Sequence, residues 1–490
     1  MNLATDLAER ARRNGWEARP AFLTSSRAWK HGEVHDLAAR AATVLAACGV
    51  RPGDRVLLAL PDSIGWIVAF LGAARLGATA VLVNPELPAD DHAWLAADSR
   101  AALCVTRADL EQHFDRRKWM DIDWLLVAAA AAIRTGAHRS KPDTPLYIQY
   151  TSGTTGTPKG VVHCHRDPGL YHDTVGERVL DVGPTDVTLS VSRLYFAYGF
   201  GNTFAFPLYS GSAAVLTPDR PTPDRVRELA AKHKVTLLYA VPSAYAALVD
   251  DAGDGDFSSV RAAVSAGEAL PAAVGDRAAA LIGAPILEQI GSTEAGHAFC
   301  ANSVAQNVPG TIGRPVPGYQ LALRDAGGDQ VPDGAEGELW VRGPTLLREY
   351  LNRPQDTAAV LVDGWLNTRD RACRLAGGAY RHTGRMDDME MVGGITVSPL
   401  EVERVLVEHP VVREVAVAAV ADQRGATKLR AYVVTSGAAV NPVALEAELI
   451  ALAKRRLAAF KVPRSVQTVP ALPRTPSGKL RRYEIRNGTW

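Results

Sequence analysis

The densest chemistry in the chain runs from Tyr150 to Val162, YTSGTTGTPKGVV. Backbone amides freed at Gly153, Gly156 and Gly160, the hydroxyls of Thr151, Ser152, Thr154 and Thr155, and the Lys159 ammonium are the groups that cradle phosphate oxygens. The stretch reads as a polyphosphate clamp. It is not the loop of the P-loop NTPases, which needs a second glycine five residues after the first, and Pro158 stands there. Glycine and threonine also fill ordinary turns. A turn does not need five hydroxyl residues, three glycines and a lysine directly after the apolar run PLYIQY.

Such a loop has to be held by a framework, and the surrounding pattern describes one. Between about residue 35 and residue 250, helix-like stretches alternate with short apolar runs: DRVLLAL, GATAVLV, AALCVTR, PLYIQYT, SAAVLTP and KVTLLYAV. That alternation predicts α/β layering on mostly parallel strands. A second strand-rich stretch, Tyr319 to Val341, brackets the turn-rich DAGGDQVPDG and predicts a small β unit. After Arg385 the texture changes to helix, strand, strand and a longer helix, an α+β unit of about 100 residues. The expected domains are 1–386 and 387–490, divided at Asp387.

Bulk properties narrow the partners. A chain of 490 residues exceeds what one core usually supports. Lys+Arg and Asp+Glu total 54 and 53, which leaves no electrostatic footprint for nucleic acid or an anionic membrane. The five cysteines are scattered without a CxxC pair, so neither a disulfide framework nor a zinc site is expected and a reducing cytoplasm fits. The N-terminus reads as an amphipathic first helix without a signal-peptide block. The longest apolar run, Leu125 to Ile133, falls short of the roughly 20 residues a membrane span needs.

In order along the chain follow GSTEAG from Gly291, GELWVRGP from Gly337, TRD from Thr368, GRMDDMEMVGG from Gly384 and PRTPSGKLRR from Pro473. With YTSGTTGTPKG, this set resembles the adenylate-forming superfamily of acyl-CoA synthetases, nonribosomal peptide synthetase adenylation domains and luciferases. LYFAYGFGN, SAGEALP, GSTEAGH and VSPLEVE look like its benzoate-CoA ligase branch. The resemblance implies a large N-terminal domain of α/β sheets plus a small β barrel, and a mobile α+β C-terminal domain. It implies that a carboxylate and Mg-ATP give acyl-AMP and pyrophosphate, after which a thiol displaces AMP. The thiol is that of coenzyme A or, alternatively, a carrier-protein phosphopantetheine. No carrier domain follows Trp490, so that partner is expected to be a separate chain.

Roles carry over residue by residue. Glu294 matches the carboxylate that holds Mg²⁺, with Thr154 as its hydroxyl partner; the metal is a hard cation suited to oxygen ligands while bridging phosphates. Asp370 matches the acid that accepts both ribose hydroxyls, and Arg385 the base beside it. The family pattern is T-G-D, and Arg369 replaces the glycine. Gly267, Glu268, Ala269, Gln289 and Ile290 match the adenine-lining segments. Lys479 matches the lysine that the small domain brings onto the carboxylate and α-phosphate, where a positive charge lowers the repulsion between two anions. Asp387 matches the hinge. The acid pocket falls on Phe196, Ala197, Tyr198, Gly199, Ala266, Gly291, His297 and Ala298, small residues beside rings that suit an aryl acid. Relatives in the branch carry a lysine serving thioester formation where this chain has Met391.

Overall fold

The computed structural model describes residues 1–490 except 116–117, 152–157, 252, 393–394, 422–426, 438–440, 476–479 and 489. Among the described residues, one sheet has seven strands, in the order Glu349–Tyr350, Lys159–Cys164, Pro145–Thr151, Thr79–Val83, Arg55–Ala59, Leu103–Thr106 and Trp119–Asp121. Its last five are parallel neighbours, and Lys159–Cys164 turns back antiparallel on Pro145–Thr151. A nine-stranded sheet contains the parallel run Ala213–Val215, Val187–Ser190, Leu237–Ala240, Ala262–Ser265 and Ile286–Gly291, extended by antiparallel Ala298–Ala301. All six apolar runs are therefore strands. The physical reason is that a parallel strand covered on both faces needs apolar side chains at every position, and Thr79–Val83 is buried throughout.

The helix Ile64–Leu76 shows how the large domain reaches the site. Ser63 caps its start by accepting from the Trp66 amide, and Gly77 ends it in the left-handed conformation. The helix is apolar on all sides, as a helix enclosed by protein must be. Trp66 and Phe70, four residues apart, stack at 5.2 Å. Phe200 and Phe204 meet Phe70 edge-on at 5.4 and 4.8 Å. These aromatic pairs fix the segment directly after FAYG, which winds as a short helical turn, Ala197–Gly199, and a π-helical stretch, Phe200–Ala205.

The strand-rich stretch after Tyr319 is a five-stranded antiparallel sheet built on Gln320–Arg324, Glu336–Arg342, Trp365–Arg374, Leu361–Val362 and Tyr380–Arg385. Beyond it, Pro399–Leu406, Val412–Ala421, Thr427–Thr435, Pro442–Arg456 and Ser465–Thr468 close around a separate core that includes Val402, Leu406, Val417, Leu429, Val433, Leu445 and Leu449. The C-terminal part is thus a domain with its own apolar interior. Among the described residues no helix is long and apolar enough to cross a membrane.

Candidate active site

The expected phosphate loop falls partly outside the described residues, which omit Ser152, Gly153, Thr154 and Thr155. What surrounds that loop is well defined. Thr151 ends one strand and Lys159 begins the next, and the two are register partners. The Lys159 ammonium lies 3.0 Å from the Asp356 carboxylate and 5.4 Å from the Tyr350 ring centre. Tyr350 donates its hydroxyl to Glu294 Oε1 at 2.8 Å. Glu294 is held from behind as well. Its carbonyl accepts from the Leu347 amide at 2.6 Å, and His163 Nε2 donates to the Thr293 carbonyl at 2.7 Å. His163 stands on the strand that follows the loop, so one imidazole ties the loop's exit to the GSTE turn. Sequence reading missed His163 and Tyr350: the first sits in an apolar strand and the second in a two-residue strand, Glu349–Tyr350, and the partner of each is far away in the chain.

Asp370 is buried on the strand Trp365–Arg374, opposite Arg385 in register. Its Oδ1 accepts from Arg385 Nη1 at 3.0 Å and from His382 Nε2 at 3.2 Å. Burial pushes the carboxyl pKa up, but Arg385, His382 and Thr368 outweigh it and hold the group below the usual carboxylate value. Arg385 is raised, mainly by Asp370, with Asp387, Asp388 and Glu294 adding. Its Nη2 lies 3.5 Å from Asp387 Oδ2. The position before Asp370 resolves the departure from T-G-D. Arg369 adopts φ +62°, the conformation a glycine takes without strain.

The acid-pocket residues converge from three segments. Tyr198 donates its hydroxyl to the Val264 carbonyl at 2.9 Å, two residues before Ala266. Its ring centre lies 6.1 Å from that of His297, and Gly291 pairs with Ala298 across adjacent strands. Gly291 and Gly201 have no room for a methyl group, which would run into the His297 backbone and ring respectively. Phe196 sits against Tyr195, with Ala197 and Gly199 on the same turn. That turn is anchored by buried Asp62, which accepts from the Leu194 amide at 3.0 Å. His297 Nε2 bonds Asn202 Oδ1 at 3.1 Å, and burial lowers the His297 pKa to about 3, so the ring is neutral. Among the described residues, His297 Nδ1, Asn202 Nδ2 and Ser265 Oγ are buried without a hydrogen-bond partner. Tyr198 is therefore not a free donor, because its proton is committed to the backbone. Asn202 was missed.

Of the adenine-lining candidates, Gln289 is buried, Ile290 and Ala269 are half-buried, and Gly267 is exposed at φ +99°. Glu268 does something sequence reading did not anticipate. Its Oε1 accepts from the Leu480 amide at 2.8 Å and its Oε2 from Arg474 Nη1 at 3.3 Å, both in the C-terminal domain. Lys479 lies outside the described residues. Met391 is 57% exposed.

Residues 7–351 match the AMP-binding enzyme family and residues 401–479 the AMP-binding enzyme C-terminal domain. The chain is 41% identical over 487 residues to p-hydroxybenzoic acid–AMP ligase FadD22 of Mycobacterium tuberculosis, covering 99% of this chain and 68% of the relative. It is 36% identical to the 4-hydroxybenzoate–CoA/benzoate–CoA ligase of Rhodopseudomonas palustris, over 100% of this chain and 94% of the relative. The crystal structure of the anthranilate CoA ligase AuaEII in complex with anthranoyl-AMP matches with a TM-score of 0.95 at 32% identity, covering 100% of this chain and 97% of that one.

The Arg369 conformation has a measurable consequence. A left-handed non-glycine residue carries roughly 1–2 kcal/mol of strain, part of which a glycine gives back as unfolded-state entropy. Arg369→Gly is expected to raise the stability of the large domain in urea unfolding by about 0.5–1 kcal/mol. Unchanged or lower stability would mean that the guanidinium makes contacts that offset the strain.

Proposed function

On the premise that the chain belongs to the AMP-binding enzyme family, we propose that it activates a benzoate-type acid as acyl-AMP and passes the acyl group to coenzyme A. The observation that carries this reading is the meeting of Tyr198, Ala266, Gly291 and His297 in one mostly neutral slot, while Glu294, Lys159, Asp370 and Arg385 supply the charges. A carboxylate oxygen bonds to the α-phosphorus of ATP as the bond to the bridging oxygen breaks and pyrophosphate leaves. The thiol sulfur then bonds to the acyl carbon, the bond to AMP breaks, and the thiol proton goes to solvent.

In this reading Asp370, kept ionised in a buried position, accepts from the ribose diol, and Arg385 orients it. The backbone of Gly267–Ala269 with Gln289 and Ile290 lines the adenine. Thr151, Ser152, Gly153, Thr155 and Lys159 hold phosphate oxygens. The donor set fits Mg²⁺: one half-buried carboxylate, Glu294, suffices for an ion that takes most of its ligands from phosphate and water, with Thr154, outside the described residues, as the hydroxyl partner that the motif implies. When bound, that ion neutralises phosphate charge. Among the described residues, the grouping of His172, Asp173 and Glu177 is close enough to share an ion but lies elsewhere and has no part in this reading.

A second reading replaces coenzyme A by the phosphopantetheine of a carrier protein. Two observations favour it: the 41% identical relative is named an AMP ligase, and Met391 offers no charge where the branch has a lysine. Product analysis with coenzyme A as the sole thiol separates the two, since a carrier-dependent enzyme releases no acyl-CoA. We place the domain boundary and the pivot at Asp387, between 1–386 and 387–490; a small-domain rotation must be absorbed by the backbone of a few residues at an element end.

Three outcomes are expected. Lys479→Ala lowers acyl-AMP formation by at least a hundredfold, because a charge at the reacting centre is worth about 3 kcal/mol in the transition state; a loss below tenfold in pyrophosphate exchange rules the role out. Asp387→Pro, which fixes φ and removes an amide donor, keeps adenylation and loses thioester formation, whereas equal loss of both signals misfolding. Across benzoic, aminobenzoic, hydroxybenzoic and cinnamic acids, a ring with a neutral polar substituent gives the highest kcat/KM, because unpartnered Asn202 Nδ2, His297 Nδ1 and Ser265 Oγ gain partners. Octanoate or an aliphatic amino acid outcompeting every aryl acid would sink the substrate assignment and leave the adenylation chemistry standing.

A further inference from the structure

Glu268 spends both carboxylate oxygens on one segment more than two hundred residues away. Oε1 takes the Leu480 amide at 2.8 Å and Oε2 takes Arg474 at 3.3 Å. The two partners are themselves joined: Arg474 and Leu480 are bridge partners, and the Arg481 amide donates to the Pro473 carbonyl at 2.9 Å. Residues 473–474 and 480–481 therefore form a closed neck that has backbone bonds of its own besides those to Glu268. Arg474 also bonds Glu414 Oε2 at 2.7 Å within its own domain. With the Glu268 carboxylate so engaged, the neighbouring Gly267 is exposed at φ +99°.

We propose that Glu268 is a positioning residue that docks the neck of the C-terminal domain onto the large domain and so selects the orientation used for adenylation. The inference rests on the function proposed above. The neck brackets Lys479 in the chain, so whatever seats Arg474 and Leu480 sets where that lysine's segment begins and ends. The side chains of Glu268, Arg474 and Glu414 are each only about three-quarters buried, at 22%, 25% and 24% exposure. A charged contact at a partly wetted seam is breakable, which a contact released once per turnover has to be. On release Arg474 keeps Glu414, so no guanidinium is stranded and the change stays reversible.

The test measures the half-reactions separately. Arg474→Ala is expected to lower acid-dependent pyrophosphate exchange at saturating ATP at least tenfold, while coenzyme A-dependent consumption of preformed aroyl-AMP stays within twofold of wild type. Glu268→Ala lowers exchange to a similar degree, and the double variant falls no further than the lower single one, as partners in one contact do. Glu268→Gln, which still accepts from the Leu480 amide, falls less than Glu268→Ala. Equal loss of exchange and thiolysis overturns the proposal, as do multiplicative losses in the double variant or exchange by Arg474→Ala within threefold of wild type. If the wild-type chain itself gives no exchange, the enzymatic reading fails with it; wild-type exchange untouched by Arg474→Ala removes the positioning role alone.

Discussion

A carboxylate removed from water survives as an anion only where charge and hydrogen bonds replace the lost hydration. Asp370 imposes that constraint, and much of the site follows from meeting it. Arg385 and His382, both on the neighbouring strand, supply the replacement, which requires the register that sets Asp370 opposite Arg385. Breaking such a pair from one side strands the other charge, at a cost of about 3–5 kcal/mol. The register is therefore not free to slip. Arg385 reaches onward to Asp387, so the guanidinium that steadies the proposed ribose acceptor also touches the proposed pivot. If the small domain turns at that pivot as proposed, Arg385 links the turn to Asp370.

The framework was legible because parallel strands and enclosed helices write their environment into every residue. DRVLLAL and GATAVLV are apolar at consecutive positions for one reason, burial on both faces, and short runs bounded by glycine or charge mark where each strand stops. The polar supports of the site carry no such signature. His163 lies in VVHCH and meets Thr293 across 130 residues; Asn202 lies among phenylalanines and meets His297 across 95. Only the topology decides which distant turn a strand's lone polar residue will face. Glu268 is the sharpest example: motif matching sends it to the adenine, but its carboxylate is engaged by a segment that sequence order places at the far end of the chain. Arg369 lies between these extremes. The missing glycine was visible, and the backbone met the constraint anyway by accepting a left-handed arginine.

Charge is divided unequally across the site, and the division bears on selectivity. Glu294, Lys159, Asp370 and Arg385 bring carboxylate, ammonium and guanidinium groups to the side where phosphate and ribose are proposed to lie. Tyr198, Asn202, Ser265 and His297 are polar but neutral, and burial keeps even the imidazole uncharged. In the proposed reading, a substrate whose single anionic group faces the nucleotide meets compensating charge there, while its ring meets only neutral groups among these four residues. A charged ring substituent would lose its hydration without a counter-charge, a larger penalty than an absent hydrogen bond. Shape adds a separate filter. Gly201 and Gly291 admit the His297 ring and backbone so closely that neither tolerates a methyl group, and the rings of Tyr198 and Phe206 set the remaining spacing around it. In that reading, discrimination among acids runs through neutral hydrogen bonds and fixed ring geometry. On the same reading, the orphaned atoms of Asn202, His297 and Ser265 would bear more on substrate choice than the charged residues that the sequence motifs bring forward.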